Sequence, residues 1–228
     1  MKRMTTKRLI IVGDGETAQL AYEYFTHDSE YEVAGFAVEK AFLSNDRLYN
    51  LPVTPFEEML KRYPPDHYHA FIAVSYTQLN RIRTRLFRIV KRMGYPVASY
   101  ISTSAFIWHN VKIGQNCFIL ENNVVQHGVK IADNVILWSG NHIGHQSSIG
   151  RNTYIASHVV VSGFCKIGKS CFLGVNCCLN DRIAIADDCI IGSGSVVVRD
   201  TLPGKVYTGN PAKMREASSY KVFKVKGD

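Results

Sequence analysis

From Ile101 to Val197 every sixth residue is Ile, Leu or Val, through Ile107, Ile113 and onward to Ile185 and Ile191, seventeen positions without an exception. A period of six fits neither the 3.6 of a helix nor the alternation of a flat strand, and it predicts the coils of a parallel β-helix. Residues two places before the apolar positions tend to be small or slim, as with Val111, Ser147, Thr153, Val159 and Ser195, so both positions are expected to point inward. With three hexapeptides to a coil, residues 18 apart should stack at about the 4.8 Å strand spacing. Gly follows the apolar residue at 114, 144, 150, 168, 174 and 192, where a tight corner is expected.

The first hundred residues lack this repeat and alternate differently. An apolar run over residues 8–12, ending at Gly13, reads as a buried parallel strand, followed by GDGETA and a helical stretch to about His27. A strand YEVAGFAV, a short helix from about Pro55 to Arg62, a strand HAFIAV, a basic helix from about Gln78 to Met93 and a last strand PVASYI complete the pattern. Strands alternating with helices predict a small Rossmann-like α/β unit. The expected division is 1–98 for this unit, 99–207 for the β-helix and 208–228 for a basic tail, with no flexible linker at the first boundary.

Composition sharpens this picture at three points. The chain has 228 residues and is 46% hydrophobic, enough for two cores. Of six cysteines, Cys117, Cys165, Cys171, Cys177 and Cys189 occupy the small inward position, so they read as core filler and not as disulfide partners. With no CxxC pair, and no long apolar run behind the charged start MKRMTTKR, a reduced, cytoplasmic protein is expected; no 18-residue apolar stretch predicts a membrane span. The net charge of +8 favours anionic ligands such as phosphates, CoA or nucleotides, or marks an ordinary basic surface. Lys205, Lys213, Arg215, Lys221, Lys224 and Lys226 gather charge near the end, but only Tyr207, Tyr220 and Phe223 lie among them, which argues against nucleic acid.

Two places carry candidate chemistry. Gly13, Gly15 and Ala18 form a GxGxxA turn at a helix start, where main-chain N–H groups and the Thr17 hydroxyl can meet a phosphate; the unit has too few strands for a full dinucleotide fold. Glu39, just past the second strand, could serve a ribose. In the β-helix, His109, His127 and His145 are 18 apart and the same register continues to Gly163 and Asp181. Without a side chain, Gly163 is expected to leave its N–H open beside the His145 imidazole, so that a base and an oxyanion donor sit one coil apart, the two parts acyl transfer requires. Zinc held by converging histidines is the rival reading, disfavoured because stacked corners point side chains in parallel.

The front unit with GDGETA, the hexapeptides, HQSSIGRNTYIA, CKIGKSCFLGVNCCLNDRIAIADDCIIGSGSVVVRD and the closing TGNPAK together resemble the sugar acyltransferases of the NeuD and PglD type. The resemblance covers residues 7–214 and implies a left-handed β-helix, a homotrimer with sites between neighbouring β-helices, and acetyl-CoA as co-substrate without a metal. It implies that the front unit holds a nucleotide-linked amino sugar through Gly13, Asp14, Gly15, Glu16, Thr17, Val38, Glu39, Ser75 and Tyr76, and that CoA lies along the later coils with its adenine near Pro211 and Lys213. His145 falls on the family's catalytic base and Gly163 on its acetyl-carbonyl donor.

Three positions depart from the family pattern. Gln146 stands where an acidic residue usually follows the histidine, and its amide oxygen is expected to orient the ring. Tyr154 replaces a second histidine near the acetyl group, and its hydroxyl is expected to take over that hydrogen bond. An acidic pair after the second strand is reduced to Glu39. The implied activity is N-acetylation of a UDP-, GDP- or dTDP-linked amino sugar in surface glycan synthesis, with O-acetylation of a sialic acid or another sugar hydroxyl, or a non-catalytic nucleotide-binding subunit, as alternatives.

Overall fold

The computed structural model describes residues 7–226; the charged start before Lys7, with the targeting expectation attached to it, lies outside them. The described chain divides into two compact units: residues up to Ser75 together with Arg85–Tyr100, and Tyr76–Thr84 together with the chain from Ile101.

In the first unit, β1 (Lys7–Val12), α1 (Glu16–His27), β2 (Tyr31–Val38), β3 (Arg47–Leu48), β4 (Leu51–Pro55), α2 (Met59–Arg62) and β5 (Tyr68–Ile72) follow in order. The sheet order is β3-β4-β2-β1-β5, parallel except for the β3–β4 hairpin. Leu9, Ile10 and Ile11 are fully buried, and α1 turns Ala18, Ala21 and Phe25 inward at helical spacing. Phe25 meets Phe71 of β5 edge to face at 4.9 Å.

Two elements differ from expectation. β4 joins the sheet beside β2 although its sequence, LPVTP, carries prolines that argue against a strand; only Val53 and Thr54 are buried, and the hairpin supplies the rest of its pairing. The last expected strand, PVASYI, splits into a bridge at Val97, where Pro96 has no N–H and offers only its carbonyl, to Ala70, and the two-residue strand Tyr100–Ile101.

The second unit is a left-handed parallel β-helix of two-residue strands. They form three sheets: six strands from Phe106–Ile107 to Val196–Val197, five from Lys112–Ile113 to Ala184–Ile185, and eight closing with Lys205–Thr208 and Lys213–Ser218. Partners are 18 apart, as in Val124 with His142, Ile136 with Tyr154 and Ser148 with Lys166. The expected inward pair fills the interior, with Cys117, Ile119, Val159, Val161, Cys171 and Leu173 fully buried. All six cysteines are free, and burial pushes the Cys117 thiol up to about 11. Buried thiols donate to carbonyls across the coil, Cys165 to Asn180 at 3.1 Å and Cys171 to Ala186 at 3.2 Å.

The glycines after the apolar positions act differently from expectation. A Cβ on Gly150 would lie 2.5 Å from the Gly168 main chain, so closeness of the next coil, and not a left-handed turn, excludes larger residues. The left-handed residue comes two places later, at Asn116, Asn122, Asn134, Gln146, Asn152, His158, Phe164 and onward. Such a conformation costs about 1–2 kcal/mol for an L-residue, and burying the branched residue of the same hexapeptide returns about 1.5–3 kcal/mol, so the corner holds.

One corner is lined by a ladder in which Asn116 donates to Asn134 at 2.8 Å and Asn134 to Asn152 at 2.9 Å. Tyr76–Thr84 runs along it. Gln78, Leu79 and Asn80 are left-handed in succession, and α3 (Arg81–Arg92) starts directly after them. Asn80 donates to the Cys171 carbonyl at 3.3 Å, Arg81 pairs with Asp188 at 2.6 Å, and the fully buried Arg83 donates to the side chain and carbonyl of Asn134, both at 3.1 Å. Burial pushes the Arg83 guanidinium down to about 10, still charged at neutral pH. Arg83→Ala removes these bonds and opens a cavity. It should cost about 2–4 kcal/mol in urea denaturation; a loss below about 1 kcal/mol would remove Arg83 from the structural frame.

Candidate functional site

In the first unit, the parallel strands taken in chain order, β1, β2, β4 and β5, lie in the spatial order third, second, first, fourth. The order reverses between β1 and β5, and ligands of open α/β sheets bind beyond the strand ends at such a point. Gly13 and Ala73 leave the sheet there. Gly13 has φ +125°, and a Cβ on it would sit 2.8 Å from the Ala73 carbonyl oxygen, so its glycine is structural. Gly15 is not. It caps α1 with φ −80°, no side chain caps the helix, and nothing lies within 4 Å of where its Cβ would be. Open space beside uncapped N–H groups suits a phosphate.

Asp14, Gly15, Glu16 and Thr17 gather at that helix start, and Ser75 follows β5. Val38 is buried at the end of β2. Glu39 accepts both guanidinium nitrogens of Arg85, at 2.8 and 2.7 Å, and this pairing holds its carboxyl below the usual range. Its oxygens are therefore engaged within the protein. Tyr76 belongs to the other unit, where its ring packs edge-on against Tyr154 and Phe172, each at 5.0 Å.

In the β-helix the histidine register is real geometry: His127 and His145 stack with ring centroids 5.6 Å apart and planes within 11°. The His145 ring stands edge-on to Phe164 at 5.0 Å and covers Gly163, where a Cβ would lie 2.6–2.8 Å from ring Cε1 and Nε2. Phe106, Trp108, Val124 and Gln126 line the same hollow, of about 420 Å³, with the two histidines. Among the described residues no three His, Cys, Asp or Glu converge as metal ligands.

Three expectations need correction here. The Gly163 N–H is not open: it donates to Asp181 Oδ1 at 2.9 Å, because Asp181 is the next residue of the same 18-residue register. Gln146 does not orient the ring. It is the left-handed corner residue, and its amide lies back over Gly128 of the preceding coil. Gln126 does that instead, with Oε1 at 2.9 Å from the His145 main-chain N and 3.2 Å from Nδ1. The usable signal was positional, since Gln126 lies one coil beneath Gly144, beside the histidine column. Tyr154 is 5% exposed and stacks on Phe172 at 5.4 Å, within an aromatic cluster on a sheet other than the one carrying His142–Ile143. Pro211 follows a cis bond in an exposed turn, and Lys213 opens the exposed final strand; Ala212 between them donates to the Val196 carbonyl at 2.8 Å.

Residues 110–163 match the bacterial transferase hexapeptide model of six repeats, and residues 165–199 the hexapeptide repeat of succinyl-transferase. Among curated proteins none matches the chain. The fold is shared with PerB from Caulobacter crescentus, solved with CoA and GDP-perosamine, at 24% identity over 92% of this chain and 98% of that one, TM-score 0.81. It is shared with the acetyltransferase domain of PglB from Neisseria gonorrhoeae FA1090, at 22% identity over 92% and 100%, TM-score 0.82. AntD, an N-acyltransferase from Bacillus cereus solved with dTDP and 3-hydroxybutyryl-CoA, matches at 16% identity over 61% and 92%, TM-score 0.52.

Gly163→Ala places a methyl group where the His145 ring lies. The expected result is a displaced ring, read as a changed His145 imidazole signal by NMR, with a stability loss of about 1–3 kcal/mol. An unchanged imidazole signal would mean that the contact with Gly163 does not fix the ring.

Proposed function

We propose that this chain is an acetyl-CoA-dependent N-acetyltransferase acting on a nucleotide-linked amino sugar, and that it works as a homotrimer. One observation carries the reading: an imidazole covers a glycine whose N–H already holds an anionic oxygen, that of Asp181. A carboxylate oxygen on that N–H is chemically the counterpart of the oxyanion formed when a thioester carbonyl is attacked. The neutral amine attacks the carbonyl carbon, and its proton passes to the imidazole of His145. As Asp181, an exposed side chain, swings aside, the Gly163 N–H takes up the oxyanion. Collapse then expels the CoA thiolate, which takes up the proton.

The resemblance in fold to PerB, PglB and AntD supports this class of substrate. The uncapped start of α1 beside Gly15 supports a phosphate-bearing acceptor held by the first unit. Exposed Phe106, Trp108, Val124 and Val160 give the six-stranded face an apolar character suited to a neighbouring copy, whose β-helix would close the hollow at His145.

His145→Ala should lower acetyl transfer by about 10²-fold or more with acetyl-CoA binding little changed, measured by thiol release over a panel of UDP-, GDP- and dTDP-linked amino sugars. A flat response of the unaltered enzyme to every amine, with acetyl-CoA bound, would sink the reading.

Gly15→Val separates ligand binding from folding. Because a Cβ there meets no protein atom within 4 Å, thermal stability should fall by only about 1 kcal/mol, from the poorer N-cap, while KM for the nucleotide sugar rises about tenfold or more. An unchanged KM would move the phosphate site elsewhere.

A further inference from the structure

We propose that Gln126 is the positioning residue of His145: its amide oxygen fixes the imidazole as the Nδ1–H tautomer and leaves the lone pair on Nε2. This deepens the acetyltransferase reading and rests on it for the step the imidazole performs, but the tautomer itself is a property of this chain alone.

Gln126 Oε1 lies 2.9 Å from the main-chain nitrogen of His145. A main-chain N–H can only donate, so the amide atom facing it is the oxygen; turning the amide would set its NH₂ against another donor. The same oxygen is 3.2 Å from His145 Nδ1. An amide oxygen carries no proton, so in the neutral ring Nδ1 must supply it, and Nε2 is left as the basic nitrogen. Nε2 is one of the two ring atoms closest to the Cβ position of Gly163, the residue whose N–H holds the anionic oxygen. Both nitrogens border the Cε1 corner that faces Gly163, so the Gln126 oxygen, by holding Nδ1, decides which of them is basic there.

The reach from Gln126 follows from the coil. It occupies the corner position directly after the inward Val125, and the residue 18 further on is Gly144, which leaves no side chain between Gln126 and the next corner. Other groups around the ring do not compete for Nδ1. His127 lies flat against it, Phe164 stands edge-on, Arg182 lies over the Phe164 ring at 4.5 Å, and the Asp181 carboxylate is engaged by the Gly163 N–H. A neutral partner also changes the kind of help given. A carboxylate at Nδ1 would stabilise the imidazolium, whereas an amide oxygen sets direction without adding charge.

The test uses the full chain labelled with ¹⁵N and long-range proton–nitrogen NMR of the imidazoles, with His145 assigned by its loss in His145→Asn. The unaltered protein should show neutral His145 protonated on Nδ1. Gln126→Leu should shift it toward Nε2–H and lower kcat by about tenfold or more, leaving KM for acetyl-CoA within about twofold. Gln126→Glu keeps an acceptor oxygen in place; it should retain the Nδ1–H form, recover most of the lost kcat and move the acidic limb of the pH profile upward, because an anion at Nδ1 favours the imidazolium. A Leu variant with the tautomer of the unaltered protein, or an unaltered protein protonated on Nε2, would overturn the assignment. A chain that acetylates no amine yet shows the predicted tautomers would instead refute the proposed activity and leave the role of Gln126 standing.

Discussion

Each strand of the β-helix is held by the one 18 residues before it and the one 18 after, and this main-chain ladder sets the separation of the coils. Every other feature of the unit is an adjustment to that separation. Where a corner faces the next corner too closely for a Cβ, the residue is Gly. At the inward position two places before a branched residue, a small side chain such as Cys171, Ser147 or Ser195 is buried. Where corner carbonyls and amides remain unpaired within the ladder, a side chain from the adjoining coil completes them, as Ser147 does for Ser162 and Cys165 and Thr153 for Gly168 and Cys171. The candidate site follows the same rule. His145, Gln126, Gly163 and Asp181 come from four successive coils and meet because the ladder stacks them.

This explains why the repeat unit was so legible in the sequence. A period of six maps directly to inward positions, and steps of 18 map to neighbours, so the buried cysteines and the His127–His145 stack could be read without coordinates. Side-chain direction could not. Gln146 adjoins the histidine in sequence and turns backward, because the corner residue is left-handed; Gln126 is 19 residues away and touches the ring. The Gly163 N–H is likewise capped by a residue whose register was visible but whose acceptor role was not. In the first unit, β4 was hidden by its prolines, since its place depends on β2 and not on its own alternation. Glu39 was found by position, but its partner Arg85, 46 residues later, lies beyond local pattern.

The two candidate regions illustrate different uses of glycine. Gly13 and Gly163 are required by atoms of the protein, a carbonyl in one case and an imidazole in the other. Gly15 faces no such demand, and its lack of a side chain has meaning only with respect to something the protein binds. Asking what an added methyl group would touch separates a residue that preserves the fold from one that preserves access.

A stack in which each coil touches only its neighbours can fray from an end, one rung after another, like a zipper. The segment Tyr76–Thr84 crosses those rungs lengthwise, fastened by Arg83 to Asn134 and by Arg81 to Asp188, three coils apart in register. Opening any rung between those points strains a fastening at the others, so the middle of the stack opens as a block and not by single coils. His145 and Gly163 lie inside the fastened stretch. The chain thereby makes the least frayable part of an otherwise one-dimensional structure the part where its candidate chemistry sits.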